Sequence, residues 1–257
     1  MMPHRVIAIP AFSDNYIWTI RDESHAVVVD PGDATPVLDY LAREGLQLAA
    51  ILNTHHHADH VGGNSTLLAY QRVPVFGPRD ERIPEVTQRV GNGDSITLPH
   101  FGIELHVTEI PGHTRSHIAF HGSGMLFCGD TLFAAGCGRL FEGTPAQMYD
   151  SLNRLAALPD DTRVYCGHEY TVSNIKFARA ADPDNAALAE WGMRAQRLRD
   201  SNQPTLPTDI GLEKKTNPFL RCGEPAIRDS ASRHAGRTLS DPVEVLAVIR
   251  DWKNNFK

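Results

Sequence analysis

Basic residues are not in excess in this chain. Lys and Arg number 25 against 31 Asp and Glu, a formal net charge of −6. Phosphate-backbone binding rests on clustered Lys and Arg, so nucleic acid is not the expected partner. No run of about 18 apolar residues is present, which argues against a membrane span. The opening residues MMPHRVIAIP lack the apolar core of a secretory leader. Cysteine is scarce: Cys128, Cys137, Cys166 and Cys222 are the four, and none forms a C-x-x-C pair. A disulfide framework is therefore not expected, and reduced thiols in a cytoplasmic protein are. There is no internal repeat and no low-complexity tract. Apolar content of 41% and charged content of 22% over 257 residues suit a globular protein with a sizeable core. These absences together lead us to expect a soluble cytoplasmic protein, and a monomer is the expectation for its assembly.

What the chain does have is histidine. Of 13 in all, four fall between positions 55 and 60, and imidazole is the commonest metal-ligand side chain. The surrounding pattern gives this cluster a place. Residues 6–9, 16–20 and 26–29 read as short strands, the last ending at Asp30-Pro31-Gly32. Helical spacing over 36–44 stops at Gly45. The apolar run 49–52 leads directly into the histidines, and 61–70 reads as one helix. A strand over 103–110, a hairpin formed by 118–120 and 125–128, and a short strand over 164–166 follow. Thr144 and Pro145 open a helix over 145–158. Past residue 170 the pattern is helical, over 173–181, 185–201 and 241–256, with 202–207 and 214–218 as connections. The expectation is an α/β catalytic domain over 1–170 and a helical substrate-binding domain over 171–257.

The motif itself is Thr54-His55-His56-His57-Ala58-Asp59-His60. In extended chain, residues two apart point the same way, so His55 and His57 grip one ion while His56 points away. Asp59 and His60 lie where the chain turns into helix and face a second ion. Three further ligand-type residues stand singly at strand ends beside glycine: His113 after Gly112, Asp130 after Gly129, and His168 after Gly167. The assignment is His55, His57 and His113 on one divalent ion, Asp59, His60 and His168 on a second, and Asp130 bridging them, the ligand set of a two-metal hydrolytic site. Imidazole and carboxylate suit zinc first, with iron and manganese also accommodated. A structural zinc is disfavoured, because such sites are closed and usually rich in cysteine. His4, His25, His100, His106, His121 and His234 have no ligand context, and His117 reads as structural. Asp30 is either an acceptor for a ligand imidazole N–H or only a turn residue.

This spacing of T-H-x-H-x-D-H, G-H-T, G-D-T and G-H-E resembles the metallo-β-lactamase superfamily. The segments Ala11-Phe12-Ser13-Asp14-Asn15-Tyr16, Phe127-Cys128-Gly129-Asp130-Thr131-Leu132-Phe133, Gly136-Cys137-Gly138-Arg139-Leu140-Phe141-Glu142-Gly143-Thr144, Gly167-His168-Glu169-Tyr170-Thr171 and Asn217-Pro218-Phe219-Leu220-Arg221 resemble the glyoxalase II family within it. The resemblance spans nearly the whole chain. It implies a four-layer αββα sandwich with a C-terminal helical domain. It also implies hydrolysis of S-2-hydroxyacylglutathione thioesters, chiefly S-D-lactoylglutathione, by a metal-bridging hydroxide that Asp59 and Asp130 help to orient. In that family a basic cluster, here Arg139, Arg250 and Lys253, holds the glutathione glycine carboxylate, and a tyrosine, here Tyr170, contacts the glutathione backbone. Two positions depart from the pattern: Phe141 stands where some members have tyrosine, and Ser116 where glycine is frequent. The alternative is a glutathione persulfide dioxygenase-like oxidoreductase with a single iron. A β-lactamase and an RNA-processing nuclease fit less well, the latter because of the acidic charge.

Overall fold

The computed structural model describes residues 4–256. The expected absence of a leader and the outer limits of the two expected domains fall partly on residues 1–3 and 257, outside the described residues. The chain divides into two compact units, each described by itself. One takes the chain up to Glu109 together with Ser116–Gly129; the other takes Ile110–Arg115 and everything from Asp130 onward.

The first unit opens with β1 (Arg5–Ala11), β2 (Asn15–Arg21), β3 (His25–Val29), α1 (Ala34–Glu44) and β4 (Gln47–Leu52). It continues through α2 (Ala58–Val61), α3 (Asn64–Tyr70), β5 (Val75–Pro78) and β6 (Gln88–Val90). Strands β1 to β6 lie side by side in chain order. The pairs β1–β2 and β2–β3 are antiparallel, and β3 to β6 run parallel. Parallel strands are covered on both faces, so they read as unbroken apolar runs rather than alternating ones. The runs Ala26-Val27-Val28-Val29 and Leu48-Ala49-Ala50-Ile51-Leu52 are buried throughout, as this requires. Helix α1 is capped by the Asp33 side chain, which accepts from Thr35 N, and ends at left-handed Gly45. Its Val37 and Leu41 pack with Leu48, Ile51, Leu67 and Val75 into one core. Strands β7 (Ser95–Thr97), β8 (Glu104–Glu109), β9 (Ile118–Gly122) and β10 (Met125–Gly129) complete the unit as an antiparallel run.

The second unit contains β11 (Leu132–Phe133), β12 (Gly136–Cys137), α4 (Pro145–Ala156), β13 (Arg163–Cys166), α5 (Thr171–Ala181) and α6 (Ala186–Asp200). It ends with β14 (Thr208–Asp209), α7 (Ile210–Thr216), α8 (Pro225–Ala235) and α9 (Pro242–Asn255). A complete capping box starts α4: Gln147 N donates to the Thr144 hydroxyl, and Thr144 N donates to the Gln147 side chain. Side-chain caps from Asn185, Asp209 and Asp241 start α6, α7 and α9. Ile175 and Ala178 of α5 pack with Leu188, Trp191 and Ala195 of α6 and with Ala135 of the small β11–β12 hairpin. Phe177 meets Phe219, Trp252 and Phe256 in an aromatic cluster, which ties α5 to α9.

Several local expectations are corrected. The segment 61–70 is not one helix, because α2 and α3 are separated at Gly62-Gly63. The backbone there presses so closely on the loop after β3 that a Cβ at Gly63 would lie 2.6 Å from Pro31 O. Residues 214–216 belong to α7 rather than to a connection, and α8 was not expected. Helices α7 and α8 carry few apolar residues in a short span, so their burial stripe is faint. Strands β5, β6 and β7 were also missed. They are three or four residues long, too short to show a period.

Candidate active site

In the first unit, the donors follow directly from the end of β4. β3 and β4 are parallel, and Asp30 N donates to Leu52 O at 2.8 Å. Asp30 therefore sits beside the start of the histidine motif, at the carboxyl ends of the strands, the usual place for a ligand site in an open α/β sheet. Its buried carboxylate accepts from Thr54 N at 2.7 Å and from the Thr54 hydroxyl at 2.7 Å. The single hydroxyl proton of Thr54 is thus committed to Asp30. The contact of 3.0 Å between Thr54 Oγ1 and His55 Nδ1 must then be donated by the imidazole, which leaves the lone pair of His55 on Nε2. That nitrogen lies 3.1 Å from His57 Nδ1. His60 Nδ1 likewise faces Asp30 Oδ2 at 3.1 Å, and donation to that carboxylate leaves its Nε2 as the lone-pair nitrogen, 3.5 Å from Asp59 Oδ2. Asn15 Nδ2 donates to the Asp59 carboxylate at 3.0 Å.

Ligand-type atoms of Asp30, His55 and His60 lie within 4.8 Å of one another. The oxygens of Asp30 are nevertheless engaged by Thr54 and by His60 Nδ1, so its role is to orient imidazoles. His56 turns to a different partner. Its Nδ1 lies 3.6 Å from Asp80 Oδ2, a carboxylate that also accepts from Arg82 and from the Ser116 hydroxyl. Those partners hold the Asp80 carboxyl far below the usual range, Arg82 foremost. Ser116 thus has a definite partner. His117 is fully buried, stacks on His55 at 4.5 Å, and has its Nδ1 3.1 Å from Ile118 O.

In the second unit, His113 Nδ1 donates to the backbone carbonyl of Arg139 at 2.9 Å, so its Nε2 carries the lone pair. That atom is 3.5 Å from Asp130 Oδ2, and His168 Nε2 is 3.3 Å from the same oxygen. Asp130 therefore stands between two imidazoles. The close fold of this segment depends on Gly138, where a Cβ would collide with Asp130 O. Tyr170 stacks flat on His168 at 4.7 Å, with Phe133 edge-on to both rings. Phe141 is exposed and edge-on to His113 at 5.3 Å.

The donor spacings test the fit to a metal. Nitrogen and oxygen ligands at ~2.0–2.2 Å from a common ion lie roughly 3.0–3.5 Å apart. The pairs His55–His57, His60–Asp59, His113–Asp130 and His168–Asp130, at 3.1, 3.5, 3.5 and 3.3 Å, fall in that interval. His55, His60 and His113 also have the other ring nitrogen committed to a hydrogen-bond partner, as metal-ligating histidines do.

The second unit also gathers the basic residues. Arg250 is only 5% exposed, not the solvated helix end that its place near the terminus of α9 would suggest. Its Nη1 donates to Cys137 O at 2.6 Å, its guanidinium lies over the Phe219 ring, and its buried Nε has no hydrogen-bond partner among the described residues. Lys253 donates to Ser173 O at 3.2 Å. Burial, followed by the charges of Arg250 and Arg139, pushes its ammonium down to about 8. Arg250 and Arg139 thus lie near enough to Lys253 to lower its pKa, and no ion pair joins any of the three to a carboxylate among the described residues, an arrangement of charge able to hold an anion. Sequence reasoning missed Asn15 as the partner of Asp59. A polar residue at the start of a strand carried no signal of that contact.

Comparison with known proteins agrees with this geometry. Residues 12–168 match the model of the metallo-beta-lactamase superfamily, and residues 169–256 match the model described as the hydroxyacylglutathione hydrolase C-terminus. The chain belongs to the hydroxyacylglutathione hydrolase family of the metallo-beta-lactamase superfamily. A hydroxyacylglutathione hydrolase of Nitrosomonas europaea is 56% identical over 98% of this chain and 96% of its own. One of Aeromonas salmonicida is 53% identical over 98% and 100%. Among solved structures, ETHE1 from Myxococcus xanthus aligns with a TM-score of 0.64 at 26% identity, covering 100% of both chains. The BLEG-1 B3 metallo-beta-lactamase aligns with a TM-score of 0.63 at 24% identity over 85% of this chain and 99% of that one, which speaks to the fold alone. The fold class is therefore the α/β metallo-beta-lactamase fold with a helical C-terminal region. Family membership and the His and Asp clusters together make this a divalent-metal-binding hydrolase. The four cysteines are buried and form no disulfide. Among the described residues no helix is long and apolar enough to cross a membrane.

Proposed function

We propose that this protein hydrolyses S-2-hydroxyacylglutathione thioesters, chiefly S-D-lactoylglutathione, to the hydroxy acid and glutathione. His55, His57 and His113 would hold one divalent ion and Asp59, His60 and His168 a second, with Asp130 shared between them; zinc is the first choice, and iron or manganese would suit the same donors. When bound, the ions supply a nucleophile from water at neutral pH and polarise the thioester carbonyl.

The protein's own groups do the rest. Asp30, Thr54 and the Arg139 carbonyl hold three imidazoles in the ligating tautomer. Asn15 steadies Asp59, so Asp59 and Asp130 can orient the attacking water. The leaving thiolate is stable near neutral pH, which makes a strong general acid unnecessary. Arg139, Arg250 and Lys253 bind the glycine carboxylate of the glutathione moiety, and Tyr170 contacts its backbone. Binding energy gathered at that distant carboxylate positions the acyl carbon for attack. In this reading residues 1–170 are the catalytic domain and 171–257 the helical substrate-binding domain, and the protein works as a cytoplasmic monomer.

The observation that carries the proposal is the uncompensated cation cluster around buried Arg250, since metal ligands alone would suit many hydrolases. The test is loss of thioester absorbance with S-D-lactoylglutathione, using protein whose metal content has been measured. Turnover that a chelator abolishes, with two metals per chain, supports the reading. Absence of turnover by fully metallated protein overturns the substrate, and oxygen uptake with glutathione persulfide would then establish the oxidoreductase instead.

A further inference from the structure

Glu213 and the Asn217-Pro218-Phe219-Leu220-Arg221 motif have no part in the reaction as described, yet both reach toward its centre. Glu213 is fully buried on α7. Its carboxylate accepts from Ala135 N at 2.8 Å, from Asn217 Nδ2 at 2.9 Å and from the Thr208 hydroxyl at 2.8 Å. Burial without a cation pushes the group up to about 7, and neighbouring Asp209 adds to the rise.

The other side chains around it grip the same short stretch. Asn217 Nδ2 lies 3.0 Å from Phe133 O and 2.9 Å from Gly136 O. Asn174 of α5 donates to Ala134 O at 3.1 Å. Each residue of the turn 133–136 thus has a backbone group held by a buried side chain from a helix or its end: Phe133 and Gly136 by Asn217, Ala134 by Asn174, and Ala135 by Glu213.

The turn needs such holding. Ala135 has a left-handed backbone, φ 53, a conformation that its Cβ disfavours. Such a conformation persists only where the surroundings over-determine it. The β11–β12 ladder itself has just the pairs Leu132–Cys137 and Phe133–Gly136, too few to stand alone. What it carries is functional at both ends. Asp130 precedes it by two residues. Cys137 O receives Arg250, and Arg139, whose carbonyl orients His113, follows it by two.

We propose that Glu213, with Asn217 and Asn174, is a positioning residue. It fixes the β11–β12 hairpin and so sets the carboxylate of Asp130 against the cation cluster that anchors the substrate. The proposal rests on the thioesterase reading for its kinetic consequence, but not for its structural one.

The test compares Glu213→Gln, which keeps an acceptor for Ala135 N and a partner for Thr208, with Glu213→Leu, which keeps neither, in the metal-loaded full chain. The Leu variant should raise KM for S-D-lactoylglutathione and weaken glutathione binding by about tenfold or more. It should shift the visible spectrum of the cobalt-substituted protein and speed amide exchange at Ala135. The Gln variant should stay within about threefold of wild type, since it preserves the acceptor. A folded Leu variant with wild-type KM and spectrum would overturn the proposal, as would a Gln variant as impaired as Leu. Should Leu not fold, the wild-type protein decides: the Ala135 amide must be among the slowly exchanging ones, and exchange as fast as that of exposed loops overturns the proposal. Failure of wild type to hydrolyse the thioester would strike only the substrate reading, because the cobalt spectrum and Ala135 exchange need no turnover.

Discussion

The segment that runs out of β4 and the segment that runs from Asp130 to Arg139 both present ligand-type side chains, and they are held by opposite means. In the first, Asp30 and Thr54 orient the His55 and His60 rings through side chains, and the ligand-type residues sit one to five positions apart in one motif. In the second, the Arg139 backbone carbonyl orients His113, a glycine permits the close approach at Asp130, and the turn between them is gripped by residues some 40 to 84 positions away. The first keeps its ligand-type residues in one motif and draws on few distant groups, chiefly Asp30 and Asn15. The second is assembled from across its unit and should be sensitive to distant change.

The largest effect expected is at the residue the second segment exists to place. Asp130→Asn should remove metal and activity together, with kcat falling by roughly a thousandfold, and full activity with two metals retained would end its bridging assignment. Next comes the support of the first segment. Asp30→Asn leaves the ligands in place and should weaken metal affinity about 10- to 100-fold, read by competition with a chromophoric chelator. An unchanged affinity would show that the motif holds its own rings and would sharpen the contrast.

Arg250→Ala should raise KM about 10- to 100-fold, the scale of a charged hydrogen bond, with kcat much less affected. A variant with normal KM would take Arg250 out of the substrate site. The smallest effect concerns Lys253. Its ammonium is held down to about 8, so it is charged below that pH and neutral above it. KM should be level at lower pH and climb as pH passes about 8, by roughly two- to fivefold over the next unit. Lys253→Arg, which keeps its charge, should abolish that rise, and an identical pH profile in the variant would assign the change to another group.

The same contrast explains what could be read in advance. The H-x-H-x-D-H spacing, the apolar run before it and the single His, Asp and His after glycines name ligand-type residues without any coordinates, because strand geometry converts spacing into direction. Helices with a cap and a clear stripe, such as α1, α4 and α6, were legible for a similar reason. Helix α8 was not, since it buries only Ile227, Ser230 and Ala231 and its stripe is scarcely apolar. The break at Gly62-Gly63 escaped notice because it answers to the backbone of Pro31 rather than to any neighbour in the motif.

Roles that depend on contact partners were out of reach. Asp30 could be weighed only as an imidazole acceptor or a turn residue, and the geometry now gives it Thr54 and His60. Asn15 gave no hint of Asp59. The place of Arg250 near the end of a helix gave no sign that it is buried against Cys137 O and the Phe219 ring.

By itself, then, the sequence determined the chemistry of the donors and the elements that bear them, because residue type and short-range period are written in the chain. Only the tertiary structure decided which tautomer His55, His60 and His113 adopt, that Arg139 and Arg250 lie near Lys253 with no carboxylate partner among the described residues, and that a buried carboxylate on α7 accepts from Ala135 N in the hairpin beyond Asp130. Those outcomes depend on burial and hydrogen-bond partners brought together from far apart, and spacing along the chain carries no record of them.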